Sequence, residues 1–215
     1  MIKWLQRYFF FILGLIINSF GISLITKSAL GTSPISSVPY VFSLFFTKIS
    51  FGLFTFILNM IFIIIQIIIL KKDFHPIQFL QILANIIFSF FIDITMGLLS
   101  GLILDSIMLK LISLLIGCTI LALGICIEVS PNVIVVPGEG IVRAISTAYN
   151  KNFGKIKIYF DVTLILISFC ASLLFFHSLQ GIGIGTVISA VLVGRIVTLI
   201  NRYFPLIKYI ENLAK

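Results

Sequence analysis

The chain has 215 residues, of which 60% are hydrophobic and 10% are charged, and its formal net charge is +8. It contains several apolar runs of about 18 or more residues, which exceeds what a soluble domain of this size needs for its core and predicts an integral membrane protein. The positive charge requires no nucleic-acid partner, because membrane orientation and contact with the anionic headgroups of the lipid bilayer account for it.

Six apolar segments predict six transmembrane helices, each about 20 residues long, which is the length that crosses about 30 Å of hydrocarbon. The predicted spans are 7–26, 51–70, 78–103, 107–129, 157–177 and 181–201. Lys3 and Arg7 precede the apolar run of the first span, as basic residues precede the core of a signal peptide. Its length and the lack of a convincing small-x-small cleavage site favour a retained helix instead.

Lysine and arginine residues are distributed unevenly between the two sides of the predicted membrane domain. Three lie on one side, namely Lys27, Lys48 and Lys110. Eleven lie on the side that holds both termini: Lys3, Arg7, Lys71, Lys72, Arg143, Lys151, Lys155, Lys157, Arg202, Lys208 and Lys215. Because cytoplasmic loops are enriched in these residues, both termini are predicted to be cytoplasmic.

Two segments, 31–47 and 136–149, begin with turn residues and proline and continue as stretches too short to span a membrane. Each predicts a short helix that is either re-entrant or interfacial. In the first, Thr32 or Ser33 is predicted to cap the unpaired N–H groups of the helix start, which also offer a site for an anionic group.

In the second short segment, Glu139 lies in the first turn between two glycines, where the backbone can come close to a ligand. Arg143 follows one turn later on the same helix face, so the two side chains could pair. The alternative is a surface ion pair that contributes little to stability.

Polar side chains inside the spans are further candidates, because a charge at the bilayer centre costs about 2.5–3.5 kcal/mol on insertion scales. Asp93 lies near the middle of the third span and Arg195 inside the sixth. They are predicted to form a buried pair or a gate, and the alternative is that Arg195 snorkels to the interface. Asn59, near the centre of the second span, is predicted to line a cavity or to join helices by hydrogen bonds.

The second half of the chain resembles the first at a shift of 102 to 103 residues. Glycines and a proline align, as do two His-x-x-Gln motifs that begin at His75 and His177. The aligned pairs are Gly14 with Gly117, Gly21 with Gly124, and Pro34 with Pro137. With three spans in each half, the second copy would enter the membrane inverted, an architecture that recurs in secondary transporters.

These features predict one all-α membrane domain over residues 1–215. About six transmembrane helices form a 3+3 inverted repeat, with one copy at about 7–104 and the other at about 107–203. Each copy carries one of the short helices.

No motif in the spans indicates catalysis, a metal ion or a cofactor, since the H-E-x-x-H, G-x-S-x-G and paired-aspartate patterns are absent. Cys118, Cys126 and Cys170 fall inside predicted spans, where cysteine acts as a small apolar packing residue. His75 and His177 are predicted to lie at opposite membrane faces, so they cannot share a metal ion.

Three short motifs resemble those of the YczE/YitT-like family of bacterial multi-pass membrane proteins. They are Ala29-Leu30-Gly31-Thr32-Ser33-Pro34, Pro137-Gly138-Glu139 and the glycine-rich run at 181–190. The resemblance covers nearly the whole chain, although Ile35 stands where many relatives have an aromatic residue. That family has no settled activity, so the resemblance implies a small protein of the bacterial inner membrane rather than a particular substrate.

The leading expectation is a secondary transporter or permease for a small polar solute, either anionic or zwitterionic. The alternatives are a substrate-binding subunit with a partner energy module and a non-transporting scaffold or assembly factor. A homo-oligomer or an energy-module partner is possible. An enzyme is not expected. The residues predicted to contact the solute are Thr32, Ser33, Asn59, Asp93, Glu139, Arg143 and Arg195.

Overall fold

A computed structural model describes residues 2–213, which form helices and connecting loops with no strand among them. Lys215, one of the cations that predict the orientation, lies outside the described residues. The helices are α1 (Ile2–Lys27), α2 (Pro34–Phe45), α3 (Phe51–Leu70), α4 (Leu80–Leu98), α5 (Ile107–Val129), α6 (Pro137–Ala148), α7 (Phe153–Phe176), α8 (Ile184–Tyr203) and α9 (Pro205–Leu213). Two short 3-10 helices, Lys71–Asp73 and Pro76–Phe79, connect α3 to α4.

Six helices, α1, α3, α4, α5, α7 and α8, are long and apolar enough to cross a membrane, which indicates a multi-pass membrane protein. The number of predicted spans is therefore confirmed. The third predicted span was too long, because α4 ends at Leu98 rather than near 103. Gly97 and Gly101 flank this end, and glycine disfavours continuation of a helix.

Side-chain caps fix where three of the long helices begin. The Ser50 hydroxyl accepts a hydrogen bond from the Leu53 N–H at the start of α3, and Ser106 accepts one from Leu109 at the start of α5. The Asn152 side chain caps α7 in the same way. Each cap satisfies one of the backbone donors that a helix start leaves unpaired.

Helices α1 and α5 form the centre of the bundle and run antiparallel, with their backbones in direct contact. A Cβ atom placed on Gly21 would lie 2.5 Å from the Leu121 nitrogen, and one on Gly124 would lie 2.5 Å from the Asn18 nitrogen. Gly14 and Gly117 meet the opposite helix in the same way. Small residues are needed here because only they let two helix backbones approach this closely.

The remaining long helices pack around this central pair. Helix α4 lies against α1, where the Ser23 and Thr95 hydroxyls are 2.6 Å apart, and it runs parallel to α1. Helix α8 lies against α5, where the Cys126 thiol contacts the Val197 carbonyl. Helix α3 packs against α4 and α6, and α7 packs against α2 and α6.

The two short helices each begin with proline and have 12 residues. Helix α2 runs beside the second half of α7, and its Phe45 ring stacks on Phe175 with centroids 4.4 Å apart. Helix α6 runs beside the second half of α3, where Gln66 contacts the Pro137 carbonyl. Since α3 and α7 end at opposite ends of the bundle, α2 and α6 point to opposite ends as well.

We call the end of the bundle at which α1 begins and α3, α5 and α8 end the basic face. There, Arg7 donates hydrogen bonds to the Pro131 and Asn132 carbonyls, both at 2.9 Å. Helix α9, which the sequence analysis did not predict, packs at this face against α1, α5 and α8. Its Ile207 and Ile210 side chains are fully buried.

Candidate functional site

The first turns of α2 and α6 meet in the interior of the bundle. A Cβ atom on Gly138 would lie 3.2 Å from the Ile35 side chain, so the two helix starts are in contact. Just beyond them, Val38 of α2 packs with Ile141 and Val142 of α6 in one buried cluster. Phe62 and Leu164, near the midpoints of α3 and α7, complete this cluster.

Two glutamines of adjacent helices lie beside the start of α6. Gln66 and Gln81 are each 1% exposed and exchange two amide hydrogen bonds, both 3.2 Å long. Gln66 also donates to the Pro137 carbonyl at 3.3 Å. A Cβ atom on Gly140 would lie 2.7 Å from the Gln66 amide oxygen, so α6 can approach the amides only because this position is glycine.

A cavity of about 290 Å³ opens beside these amides toward the basic face, and we call it the glutamine cavity. Arg143 and Thr147 line it from α6, and Asp73 and Gln78 line it from the α3–α4 connection. The Gln78 Oε1 atom is buried there without a hydrogen-bond partner among the described residues. The cavity therefore combines one guanidinium group, several amides, a hydroxyl and a carboxylate.

A second cavity, of about 590 Å³, lies on the other side of the α5–α6 loop, and we call it the acidic cavity. It is lined by Glu139 of α6, Asn201 of α8 and Glu211 of α9. Burial raises the pKa of the Glu139 carboxyl, and the nearby Lys157 ammonium partly opposes that rise. A cation or hydrogen-bond donor would be favoured in this cavity.

Behind the acidic cavity, α5 carries a carboxyl group that is almost completely enclosed. Glu128 is 1% exposed and accepts a hydrogen bond of 2.9 Å from the Asn18 amide of α1. Glu139 lies close enough for like-charge repulsion. Glu128 thus lies between α5 and α1, with the Glu139 carboxyl of α6 as its acidic neighbour.

A family model matches residues 5–202 of the chain. The chain belongs to DUF6198, a family of unknown function. No curated protein and no solved structure matches it.

Glu139 and Arg143 of the DUF6198 protein do not form the predicted pair. The only ion pair within 4.0 Å among the described residues joins Lys157 to Asp161, at 2.6 Å. Arg143 lines the glutamine cavity, whereas Glu139 lines the acidic cavity. Both residues border cavities, but each borders a different one, with Glu139 one turn before Arg143 on α6.

The predicted pairing of Asp93 with Arg195 is wrong. Both Asp93 carboxylate oxygens are occupied at the start of α3, one by the Ser50 hydroxyl at 2.6 Å and the other by the Gly52 N–H at 2.7 Å. Arg195 lies on an exposed side of α8. Asp93 and Arg195 occupy equivalent positions of the two halves, but equivalent positions need not face each other. Asp93 instead turns to the start of α3 and caps it.

Thr32 and Ser33 hold the entry to α2, but neither provides the predicted side-chain cap. The fully buried Thr32 hydroxyl lies 2.8 Å from that of Thr26, and the Thr32 N–H donates to the Thr186 hydroxyl at 3.2 Å. Ser33 is the N-cap residue by position, yet its hydroxyl donates to the Ser36 hydroxyl at 2.8 Å. The segment is thereby fastened to the start of α8.

Asn59 links two helices in the DUF6198 protein. Its amide donates to the Asn85 side chain at 2.8 Å, and Asn85 donates in turn to the Phe56 carbonyl at 3.0 Å. This is the second of the two roles predicted for Asn59, the joining of helices by hydrogen bonds.

Four polar residues in or beside the cavities are not among the predicted site residues, namely Gln66, Gln78, Gln81 and Glu128. Glu128 is the one acidic residue of the fourth span, and that signal was available. The glutamines lie within about a turn of the predicted ends of their spans, where an amide is unremarkable because it can reach the interface. Only the packing of α6 against α3 shows that they are enclosed.

Proposed function

We propose that this protein is a secondary transporter or permease for a small polar solute, anionic or zwitterionic, that binds in the glutamine cavity. The observation that carries the proposal is the meeting of two short helices in the interior beside buried amides. Helix starts offer unpaired N–H groups and a partial positive charge, which favour anionic groups. Short helices that begin at mid-depth are also a recurring device of transporters.

The chemistry of the cavity supports this solute class. Arg143 can pair with a carboxylate, the Gln66, Gln78 and Gln81 amides can donate or accept hydrogen bonds, and Asp73 can pair with an ammonium group. At about 290 Å³ the cavity lies near the lower end of ligand-site volumes, which favours a solute of few atoms. The free Gln78 oxygen is an acceptor that such a solute could satisfy.

The inverted repeat is part of the proposal, and the α1–α5 crossing supports it. Gly14 of α1 meets Glu128 of α5, and Gly117 of α5 meets Ile25 of α1. At a shift of 103 residues, Gly14 corresponds to Gly117 and Ile25 corresponds to Glu128, so the repeat converts the first contact into the second. The contacts of Gly21 with Leu121 and of Gly124 with Asn18 are related in the same way. A pseudo-two-fold axis through this crossing would relate the halves and turn α2 into α6.

The re-entrant placement of α2 and α6, and the cytoplasmic orientation of the basic face, belong to the same proposal. Both cavities open at the basic face, so the conformation described here would be open to the cytoplasm. The exchange of access would then move each short helix relative to the α1–α5 pair. The resemblance to the YczE/YitT-like family is compatible with this placement in a bacterial inner membrane.

Thermal-shift screening of the detergent-purified protein against a library of small carboxylates, amino acids and other polar metabolites tests the proposal. A ligand that binds only the folded state raises its apparent stability. We expect a shift with a small anionic or zwitterionic solute, and we expect Arg143→Gln to abolish it. Arg195→Gln is the matched control, because Arg195 is exposed like Arg143 but lines neither cavity.

Uptake of the same solute into proteoliposomes completes the test. Accumulation by the wild type and by Arg195→Gln, but not by Arg143→Gln, would support transport through the glutamine cavity. A folded protein that shifts with no solute would favour a scaffold or assembly factor. Binding without uptake would favour a subunit that needs an energy-module partner.

A further inference from the structure

The Asn18–Glu128 pair is the most enclosed carboxyl site in the described part of the chain. Glu128 is 1% exposed and Asn18 is 6% exposed. Both lie where glycines bring the backbones of α1 and α5 into contact. Gly14 contacts the Glu128 backbone, and Gly124 contacts the Asn18 backbone. Both side chains are therefore closed off from water in this conformation.

No described residue forms an ion pair with Glu128. Arg7 of α1 is bound to the carbonyls of residues 131 and 132, and Lys157 is paired with Asp161. Glu139 of α6 repels a charge on Glu128. On α8 and α9, which also pack against α5, the ionisable residues are all exposed: Arg195, Arg202, Tyr203, Lys208, Tyr209 and Glu211.

An ionised carboxylate in such a place is costly, because burial of a charge without a partner is strongly unfavourable and the group becomes neutral instead. A neutral carboxyl group carries one O–H donor. The Asn18 Oδ1 atom is buried without a donor among the described residues, although its Nδ2 already donates to Glu128. A carboxylic acid and a primary amide can exchange two hydrogen bonds, and protonation of Glu128 supplies the second.

We propose that Glu128 binds an exchangeable proton, which its carboxyl group shares with the Asn18 amide, and that this is the coupling proton of the transporter. One proton adds to the carboxylate and gives the neutral acid, which returns it to solvent. The acidic cavity gives the proton a path to solvent, because Cys126 and Val129, which flank Glu128 in the sequence, line that cavity. Glu139, which also lines it, offers an intermediate acceptor. The coupling role rests on the proposed transport function, whereas proton binding does not.

Infrared difference spectroscopy of the full chain in lipid nanodiscs tests proton binding without any solute. We expect the C=O stretch of a protonated carboxyl group at neutral pH. Glu128→Gln should remove the band, and Glu139→Gln should retain it. Asn18→Leu, which leaves Glu128 in place, should shift the band because the acid loses the hydrogen bond from Asn18.

Three results would overturn the proton site: no such band in the wild type at neutral pH, a band unchanged in both Glu128→Gln and Asn18→Leu, or a band that sodium chloride removes at constant pH. The last would assign the site to a sodium ion. The Asn18→Leu spectrum keeps the test decisive if Glu128→Gln fails to fold.

Uptake into proteoliposomes, with the solute that gives the largest thermal shift, tests coupling separately. An imposed pH gradient should raise wild-type uptake at least about tenfold, and Glu128→Gln should give the same uptake with and without the gradient. A gradient effect that persists in Glu128→Gln would overturn coupling through this residue. An assigned Glu128 band in a protein that moves no solute would leave the proton site standing and contradict the transport function.

Discussion

Gly140 faces the Gln66 and Gln81 amides at a distance that leaves no room for a methyl group. We expect Gly140→Ala to push α6 away from this amide pair, to lower stability by about 1–3 kcal/mol and to weaken solute binding about tenfold or more. Thermal unfolding and the thermal-shift titration measure the two effects. Gly97→Ala is the control, since a Cβ atom there meets nothing within 4 Å, and equal behaviour of the two variants would contradict the prediction.

Glu139 gives the protein a pH-dependent stability whose sign follows from its environment. Folding raises the pKa of this carboxyl above its ordinary value of 4.5, mainly through burial, so the folded state favours the protonated acid. The stability that it contributes is complete below the ordinary pKa and is lost as the pH rises through the raised one. The apparent melting temperature should therefore fall across this range.

Glu139→Gln should flatten that decline, because glutamine cannot ionise. The matched control is Glu211→Gln, which replaces an exposed carboxyl group of the same cavity and should keep the wild-type profile. Melting temperatures recorded at several pH values compare the three proteins. Parallel profiles for wild type and Glu139→Gln would show that this carboxyl does not govern the dependence.

Among the elements, the α1–α5 pair depends most on small residues. Gly21→Ala would place a Cβ atom 2.5 Å from the Leu121 nitrogen, a backbone atom that cannot move aside without moving α5. We expect a loss of about 1–3 kcal/mol, measured as a lower midpoint of unfolding, and a similar loss for Gly124→Ala. Gly194→Ala should leave stability unchanged or raise it by up to about 1 kcal/mol, because that helical position is open.

If Gly21→Ala and Gly124→Ala unfold at the wild-type midpoint, the close contact of α1 and α5 does not determine the stability of the bundle. The double variant Gly21→Ala, Gly124→Ala adds information, because the two sites share one interface. Its loss should differ from the sum of the single losses, since one separation of the helices relieves both overlaps.

The elements could be predicted from the sequence where the signal was local. Run length and hydropathy located the six long helices, and turn chemistry located α2 and α6 at Pro34 and Pro137. Local signals did not reveal α9, because its nine residues lie beyond the last apolar run. Its apolar side is made of a few residues such as Ile207 and Ile210, whose burial depends on α1, α5 and α8.

The candidate site was harder to predict, because its residues come together only through packing. Arg143 and Glu139 were selected for their place on a short helix, and each lines a cavity. Asp93 was selected as a charge within a span, yet it serves as a cap for α3. Glu128 carries the same kind of signal, and only its contact with Asn18 of α1 distinguishes it from a residue at a helix end.

Two sets of helices surround the central α1–α5 pair, and each set contains one short helix. The two short helices, α2 and α6, point toward opposite ends of the bundle. Helix α2 packs against α7, where the Phe45 and Phe175 rings stack. Helix α6 packs against α3, where the Gln66 amide donates a hydrogen bond to the Pro137 carbonyl. The two short helices touch along their first two turns, from the contact of Ile35 with Gly138 to the packing of Val38 with Ile141 and Val142. Under the proposed transport function, a shift of one short helix against the other would exchange access between the two ends.

Directional labelling tests the orientation and the open cavity together. Thr147 lines the glutamine cavity and is exposed, whereas Ile103 is 75% exposed in the loop at the opposite face. In a background with Cys118, Cys126 and Cys170 replaced by alanine, we expect a membrane-impermeant maleimide to label Thr147→Cys only in inverted vesicles and Ile103→Cys only in intact cells. The reason is that the basic face is predicted to be cytoplasmic.

The bound solute should slow labelling of Thr147→Cys several-fold and leave Ile103→Cys unaffected, because only the first position borders the glutamine cavity. Labelling of Thr147→Cys in intact cells but not in inverted vesicles would reverse the orientation. Labelling of Thr147→Cys from both sides, shifted toward one side by the solute, would be direct evidence of two access states. Slow and solute-independent labelling from the cytoplasmic side alone would contradict solute binding in this cavity and favour a packed scaffold.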